Sequence, residues 1–196
     1  MPTHLVLFRI RVPQSSAAAL EGREDRISAL LEEVEGFEGF TLWQGVADPT
    51  HVLGIYEYAT REAAEEGMRV YALDPVLDEA VEFSAEPMQI HQVVAKEVDG
   101  RVPSQSEEGQ VMSISFRVAS PGLSEELQED LDQVFDSLRL TPGYLGSVRG
   151  YLESLEDEAV GLVLWADPLA FDRSLPARRP YEVQLYRRVP CGSVVG

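Results

Sequence analysis

Two stretches far apart in the chain share one pattern, and that repetition constrains the fold more than any other feature. Gly36-Phe37-Glu38-Gly39-Phe40-Thr41-Leu42-Trp43 runs glycine, aromatic, any residue, glycine, then a β-rich segment, and Pro142-Gly143-Tyr144-Leu145-Gly146-Ser147-Val148-Arg149 repeats it. Upstream, Phe8-Arg9 returns as Phe116-Arg117, 108 positions on, while Gly36 returns as Gly143, 107 on. A near-constant offset marks a tandem duplication. The period is too long for a solenoid and fits two small domains of one kind. At 196 residues the chain has room for two such cores.

The first unit, residues 1–98, reads β-α-β-β-α-β. Residues 4–12 form a strand with Val6, Phe8, Ile10 and Val12 on one face. Leu5 and Leu7, then Arg9 and Arg11, occupy the other, so both faces are expected to be covered. Pro13 ends the strand, and Ser15 or Ser16 caps a helix whose apolar stripe is Leu20, Ile27, Leu30, Leu31 and Val34. Gly36 suits a left-handed stop. Strands follow over 40–46 and 52–58, with Asp48-Pro49-Thr50 as the turn. Thr60 caps a helix from 61 to about 71. Asp74-Pro75 restarts it with Val76, Leu77, Ala80 and Val81, before a fourth strand over 88–98. This is the ferredoxin-like order.

Residues 99–109, poor in large apolar side chains, read as a linker. The order then repeats over 110–190. There is a strand over 111–118, a helix capped by Ser124 with Leu127, Leu131, Val134, Phe135 and Leu138 as its stripe, and strands over 144–153, 160–165 and 181–189. Pro168, Pro176 and Pro180 are expected to cut the second helix of this copy to about one turn or to remove it. Residues 191–196 are a tail holding Cys191.

Composition excludes several partners. The chain has 34 Asp and Glu against 16 Lys and Arg, a net charge of −18, so it lacks the cations that neutralise nucleic acid or an anionic membrane surface. Cys191 is the single cysteine, which rules out an intramolecular disulfide and points to a reducing cytoplasm. With only Arg187 and Arg188 near it in sequence, Cys191 reads as an incidental thiol. No signal peptide is read at the start, and no apolar run approaches the roughly 18 residues that span a bilayer.

The Phe-Arg first strand, the glycine-aromatic-x-glycine entry to strand two and the aromatic late in strand three together carry a resemblance. The last feature appears as Tyr56-Glu57-Tyr58-Ala59-Thr60 and as Leu164-Trp165-Ala166-Asp167-Pro168. Nearly the whole chain, twice over, resembles the dimeric α+β barrel superfamily and its antibiotic-biosynthesis-monooxygenase-like domains. The resemblance implies a fold class of α+β. Two tandem ferredoxin-like units with antiparallel sheets would form, within one chain, the barrel that single-copy members build as homodimers, with a cavity between sheet and helices. Self-pairing of the two copies would then replace the homodimer, and a higher homo-oligomer stays open.

Candidate sites follow from alternation. On the strand 111–118, Met112, Ile114, Phe116 and Val118 face one way and Ser113, Ser115 and Arg117 the other, with Leu5, Leu7 and Arg9 taken as the matching positions of the first copy. Hydroxyls ending in an arginine on a covered strand are what a polar ligand pocket needs, and an exposed or water-lined face is the plainer reading. Trp43, Tyr56 and Tyr58 are either the lining of a flat aromatic ligand's pocket or core. His91 is either a base or a structural histidine. No metal-ligand spacing occurs. Family members that degrade haem use an Asn, a Trp and a His. Here Trp165 matches the Trp, the sequence contains no Asn, and 61–83 and 167–180 hold no His, so haem degradation is disfavoured. Two functions stay open. One is a cofactor-independent monooxygenase for a small aromatic or polyketide-like molecule, with His91 and Trp165 as catalytic candidates and Arg9 and Arg117 as polar groups. The other is a non-catalytic ligand-binding or stress-response barrel.

Overall fold

The computed structural model describes residues 2–13, 23–75, 82, 84–119, 124–153, 155–175 and 182–189. The first copy contributes β1 (His4–Arg11), α1 (Arg23–Leu31), β2 (Phe37–Gly45), β3 (His51–Tyr58), α2 (Arg61–Leu73) and β4 (Gln89–Gly100). The second contributes β5 (Val111–Val118), α3 (Ser124–Arg139), β6 (Tyr144–Leu152), β7 (Leu155–Trp165), α4 (Pro168–Ser174) and β8 (Gln184–Arg188). The eight strands close into an antiparallel barrel in the order β1-β3-β2-β8-β5-β7-β6-β4. Moving four places round that ring carries each strand onto its counterpart, so the two copies are related by a pseudo-two-fold along the barrel axis.

The duplication shows in the joints. Gly36 and Gly143 both have positive φ, +88° and +94°, and a Cβ added at either would press on Ala63 or Ala170 at 2.9 and 2.5 Å. Their carbonyls accept from Ala59 N at 2.7 Å and Ala166 N at 2.8 Å. Thr60 and Asp167 cap the helices that follow, accepting from Ala63 N at 3.1 Å and Ala170 N at 2.7 Å. Every one of these pairs is 107 apart.

Sheet register extends the same offset. Phe8 pairs with Gly54 and Ser115 with Gly161, so Ser115 stands where Phe8 stands, and Phe116 stands where Arg9 stands. The Phe-Arg match at 108 is therefore one residue out of register, and one residue flips every side chain to the other face. Ser113, Ser115 and Arg117 correspond to Val6, Phe8 and Ile10, not to Leu5, Leu7 and Arg9.

Three cores result. Leu5, Leu7, Trp43, Leu53 and Ile55 meet Met112, Ile114, Leu162 and Leu164 inside the barrel. Outside it, α1 and α2 bury Val6, Phe8, Ile27, Leu31, Phe40 and Tyr56, while α3 and α4 bury Leu131, Phe135, Val163, Trp165 and Phe171. Each large side chain in the lumen is worth about 1.5–3 kcal/mol when withdrawn from water, which ties the two copies together. The seams are unequal. β4 pairs with β6 from Val93 to Gly100, whereas β2 pairs with β8 only over Trp43 to Gly45.

Several boundaries move. β2 starts at Phe37, with a register shift between Phe37 and Gly39. α4 has 7 residues rather than about one turn, because Pro168 lies in its first turn, where no N–H is needed, and Asp167 caps it. Residues 99–109 do more than connect. Asp99 and Gly100 finish β4, and a 3-10 turn, Pro103–Gln105, folds across one end of the barrel beside the buried Val102. Ser15, Ser16 and Leu20 in the first helix, Val76, Leu77, Ala80 and Val81 in the second, the Ser124 side chain, Pro176, Pro180, Tyr181 and Cys191 lie outside the described residues. Among the described residues no helix is long and apolar enough to cross a membrane.

Candidate functional site

Strand alternation sends Ser113, Ser115 and Arg117 outward from β5 into a cleft between the second copy's sheet and its helices. Phe135 of α3 and Phe171 of α4 cover it, and Trp165 of β7 lies at its side. The Trp165 indole N–H donates to Ser113 Oγ at 2.9 Å, with both residues buried. Tyr144 and Phe171 meet the indole edge-on, with ring centroids at 6.1 and 6.3 Å. Gly161 leaves room on the sheet, since a Cβ there would stand 2.8 Å from the Phe135 ring and 3.3 Å from Ser115 Oγ. The free space is about 40 Å3. Alternation puts Ser113, Ser115 and Arg117 on one face, and the pairing of β5 with β7 sets Trp165 beside them.

The equivalent cleft of the first copy has another chemistry. Val6, Phe8 and Ile10 replace the polar row, and Phe8 meets Tyr56 at 5.0 Å and Tyr71 at 5.3 Å, with Phe40 against Tyr56 at 4.4 Å. Burial pushes the Tyr56 and Tyr71 phenols up, so both stay neutral. Tyr58 packs its ring against Gly67 of α2, where a Cβ would come 2.3 Å from the hydroxyl. Trp43 points the opposite way, into the barrel, and donates to Thr41 Oγ1 at 2.8 Å. Trp43 therefore does not share a pocket with Tyr56 and Tyr58.

Arg9 and His91 meet elsewhere, at one mouth of the barrel. Arg9 Nη2 donates to Gln184 Oε1 at 3.0 Å and its guanidinium lies 5.2 Å from the centre of the Phe116 ring, with the His91 ring 5.2 Å from the same phenyl. Burial, then Arg9, lowers the His91 pKa, which keeps the imidazole neutral at pH 7. His91 is thus on the lumen side of the sheet and Trp165 on the helix side, so the two catalytic candidates face different spaces.

The opposite end of the barrel holds a group that sequence reasoning missed. Glu57 is 0 % exposed between Tyr56 and Tyr58, and accepts from Ser104 N and Ser104 Oγ, each at 2.7 Å. Burial pushes its carboxyl up to about 7 against the pull of those bonds, with Glu38 raising it further and Arg188 lowering it. Arg188 donates to the Ser106 carbonyl and to Glu24. The one signal in the chain was an acidic residue inside an otherwise apolar strand. Among the described residues no group of three or more His, Cys, Asp or Glu could hold a metal ion.

No family model and no curated protein matches the sequence. Solved structures do resemble it. A proposed monooxygenase of Fusobacterium nucleatum superposes with a TM-score of 0.78 at 10% identity, over 95% of this chain and 92% of that one. A proposed monooxygenase of Lactobacillus acidophilus gives 0.70 at 10% identity, over 96% and 94%. An anthrone oxidase-like protein gives 0.63 at 15% identity, over 96% and 92%. At these identities the likeness is one of fold, and with the barrel order and the 107-residue offset it makes the chain a tandem duplication of two α+β units closed into one antiparallel barrel.

Proposed function

We propose that the second copy's cleft binds a small electron-rich aromatic or polyketide-like molecule, and that the protein acts on it as a cofactor-independent monooxygenase. The observation that carries this is the polar row Ser113, Ser115 and Arg117 beside Trp165, at positions where the first copy holds Val6, Phe8 and Ile10. Such a substrate activates oxygen itself. A CH2 group flanked by aromatic rings gives a proton to solvent, the carbanion forms a C–O bond to O2, the peroxide anion takes a proton back, and loss of water by O–O cleavage leaves C=O with one oxygen atom departing as water. The chain supplies orientation and charge. Phe135 and Phe171 hold the ring, Arg117 steadies a phenolate or enolate, and the Ser113–Trp165 pair fixes a carbonyl or hydroxyl.

The alternative is a binding protein without turnover. It is favoured by the free space of about 40 Å3, far below the roughly 300 Å3 of ordinary ligand pockets, and by a described lining with no imidazole or carboxylate to take a proton. One titration with anthrone separates the readings, followed by tryptophan fluorescence and by an oxygen electrode. Quenching with oxygen uptake that Ser113→Ala and Arg117→Gln both depress supports the oxygenase. Quenching without uptake supports the binder. No quenching removes the site.

A further inference from the structure

Arg9, His91, Phe116, Glu158, Glu182 and Gln184 line a second, half-open space at the barrel mouth, on the other side of the sheet from the cleft above. Its volume is about 290 Å3. The pseudo-two-fold explains the collection, because Phe116 occupies the place of Arg9, and Gln184, opposite Ile114, the place of His91, opposite Leu7. Two copies of one strand layout have thus been given different chemistry around one opening.

The groups already engaged can be separated from those that are not. Arg9 is spent on the wall, donating to Gln184 Oε1 and lying over Phe116. The same oxygen also accepts from the Tyr186 hydroxyl at 2.9 Å, and the Gln184 amide donates to Glu182 at 3.3 Å. What faces the space is then the carboxylate of Glu158, that of Glu182 with its one bond from Gln184, the phenyl of Phe116 and the ring of His91. His91 Nε2 is buried and has no hydrogen-bond partner among the described residues, an uncommon condition for a buried nitrogen.

We infer that this mouth is a binding site for a small protonated amine with an aromatic or apolar body. The ammonium donates to Glu158 and to Glu182, while the body lies along Phe116, Ile114 and the His91 ring. An anion would meet two carboxylates; Arg9 keeps its charge but is turned to Gln184 and Phe116 and is outnumbered. The chain's net charge of −18 adds a field that draws cations to any opening and repels anions. The volume suits a single-ring amine rather than a polycyclic one.

The test uses the full chain labelled with 15N-histidine, which yields signals from only three residues, His4, His51 and His91. Benzylamine is titrated, with benzyl alcohol and benzoate as the neutral and anionic counterparts. The expected result is a saturable shift of the His91 ring nitrogens with benzylamine, at least tenfold weaker binding in Glu158→Gln and in Glu182→Gln, and little response to the other two probes. Two variants are used so that poor folding of one does not decide the matter, and dichroism checks each. A shift of His91 by benzoate as strong as by benzylamine overturns the inference. So does the absence of saturation at millimolar benzylamine, or unchanged affinity in both variants.

Discussion

Replacing Glu57 by Gln tests how the barrel's closed end is held. In the unfolded chain this carboxyl ionises at its ordinary value of 4.5, whereas in the folded chain burial holds the proton up to about 7. Between those values the folded state keeps a proton that the unfolded state has released, so stability falls as pH rises through the window. The contribution is fully present below 4.5 and gone above about 7. The rise is worth about 3 kcal/mol, undiscounted because Glu57 is 0 % exposed. Gln cannot ionise, yet its carbonyl still accepts from Ser104 N, and its amide can donate to Ser104 Oγ in place of the present bond. Urea unfolding of wild type and Glu57→Gln at a series of pH values isolates the effect, since every other titration cancels in the difference. Wild type should lose about 3 kcal/mol relative to the variant between pH 4.5 and 7.5, ending less stable or level at the alkaline side. A flat difference would mean that Ser104 and Arg188 outweigh burial and that the carboxylate is ionised throughout.

Other outcomes follow from the same geometry. Arg188→Ala removes the bridge to Glu24, whose side chain is 10 % exposed, and should cost about 3–5 kcal/mol by chemical denaturation; a loss below about 1 kcal/mol would make that bridge a surface pair in effect. Gly161→Ala pushes a methyl to 2.8 Å from the Phe135 ring, and should cost about 1–3 kcal/mol and weaken binding of an aromatic in the second cleft, with the barrel-mouth titration unchanged. Residues 1–98 expressed alone expose Leu5, Leu7, Leu53 and Ile55, and light scattering should report a dimer or larger species; a stable monomer would show that the lumen face needs no partner.

Much of this protein was legible in its residues because the features concerned are local. Alternation along 4–12 and 111–118, the helical stripes and the glycine-aromatic entries all report backbone periodicity, which a sequence displays directly. Thr60 and Gly36 were readable for the same reason, as cap and left-handed stop depend on residues within one turn. The duplication, the β-α-β-β-α-β order and the grouping of Ser113, Ser115 and Arg117 on one face came from that source alone.

What the tertiary structure decided depends on distances between strands. The Phe-Arg motif suggested an offset of 108, and only the pairing of Ser115 with Gly161 and of Phe8 with Gly54 shows 107, the difference of one that exchanges the two faces. Trp165 joined Ser113 across 52 positions, and His91 parted from Trp165, because a sheet one residue thick separates lumen from helices. Residues 99–109 looked like a connector by composition, yet Ser104 meets Glu57 across 47 positions and shuts the barrel end. Burial is a property of the assembled barrel. It turns one carboxylate in an apolar strand into a group that titrates near 7, and no local pattern in the chain carries that information.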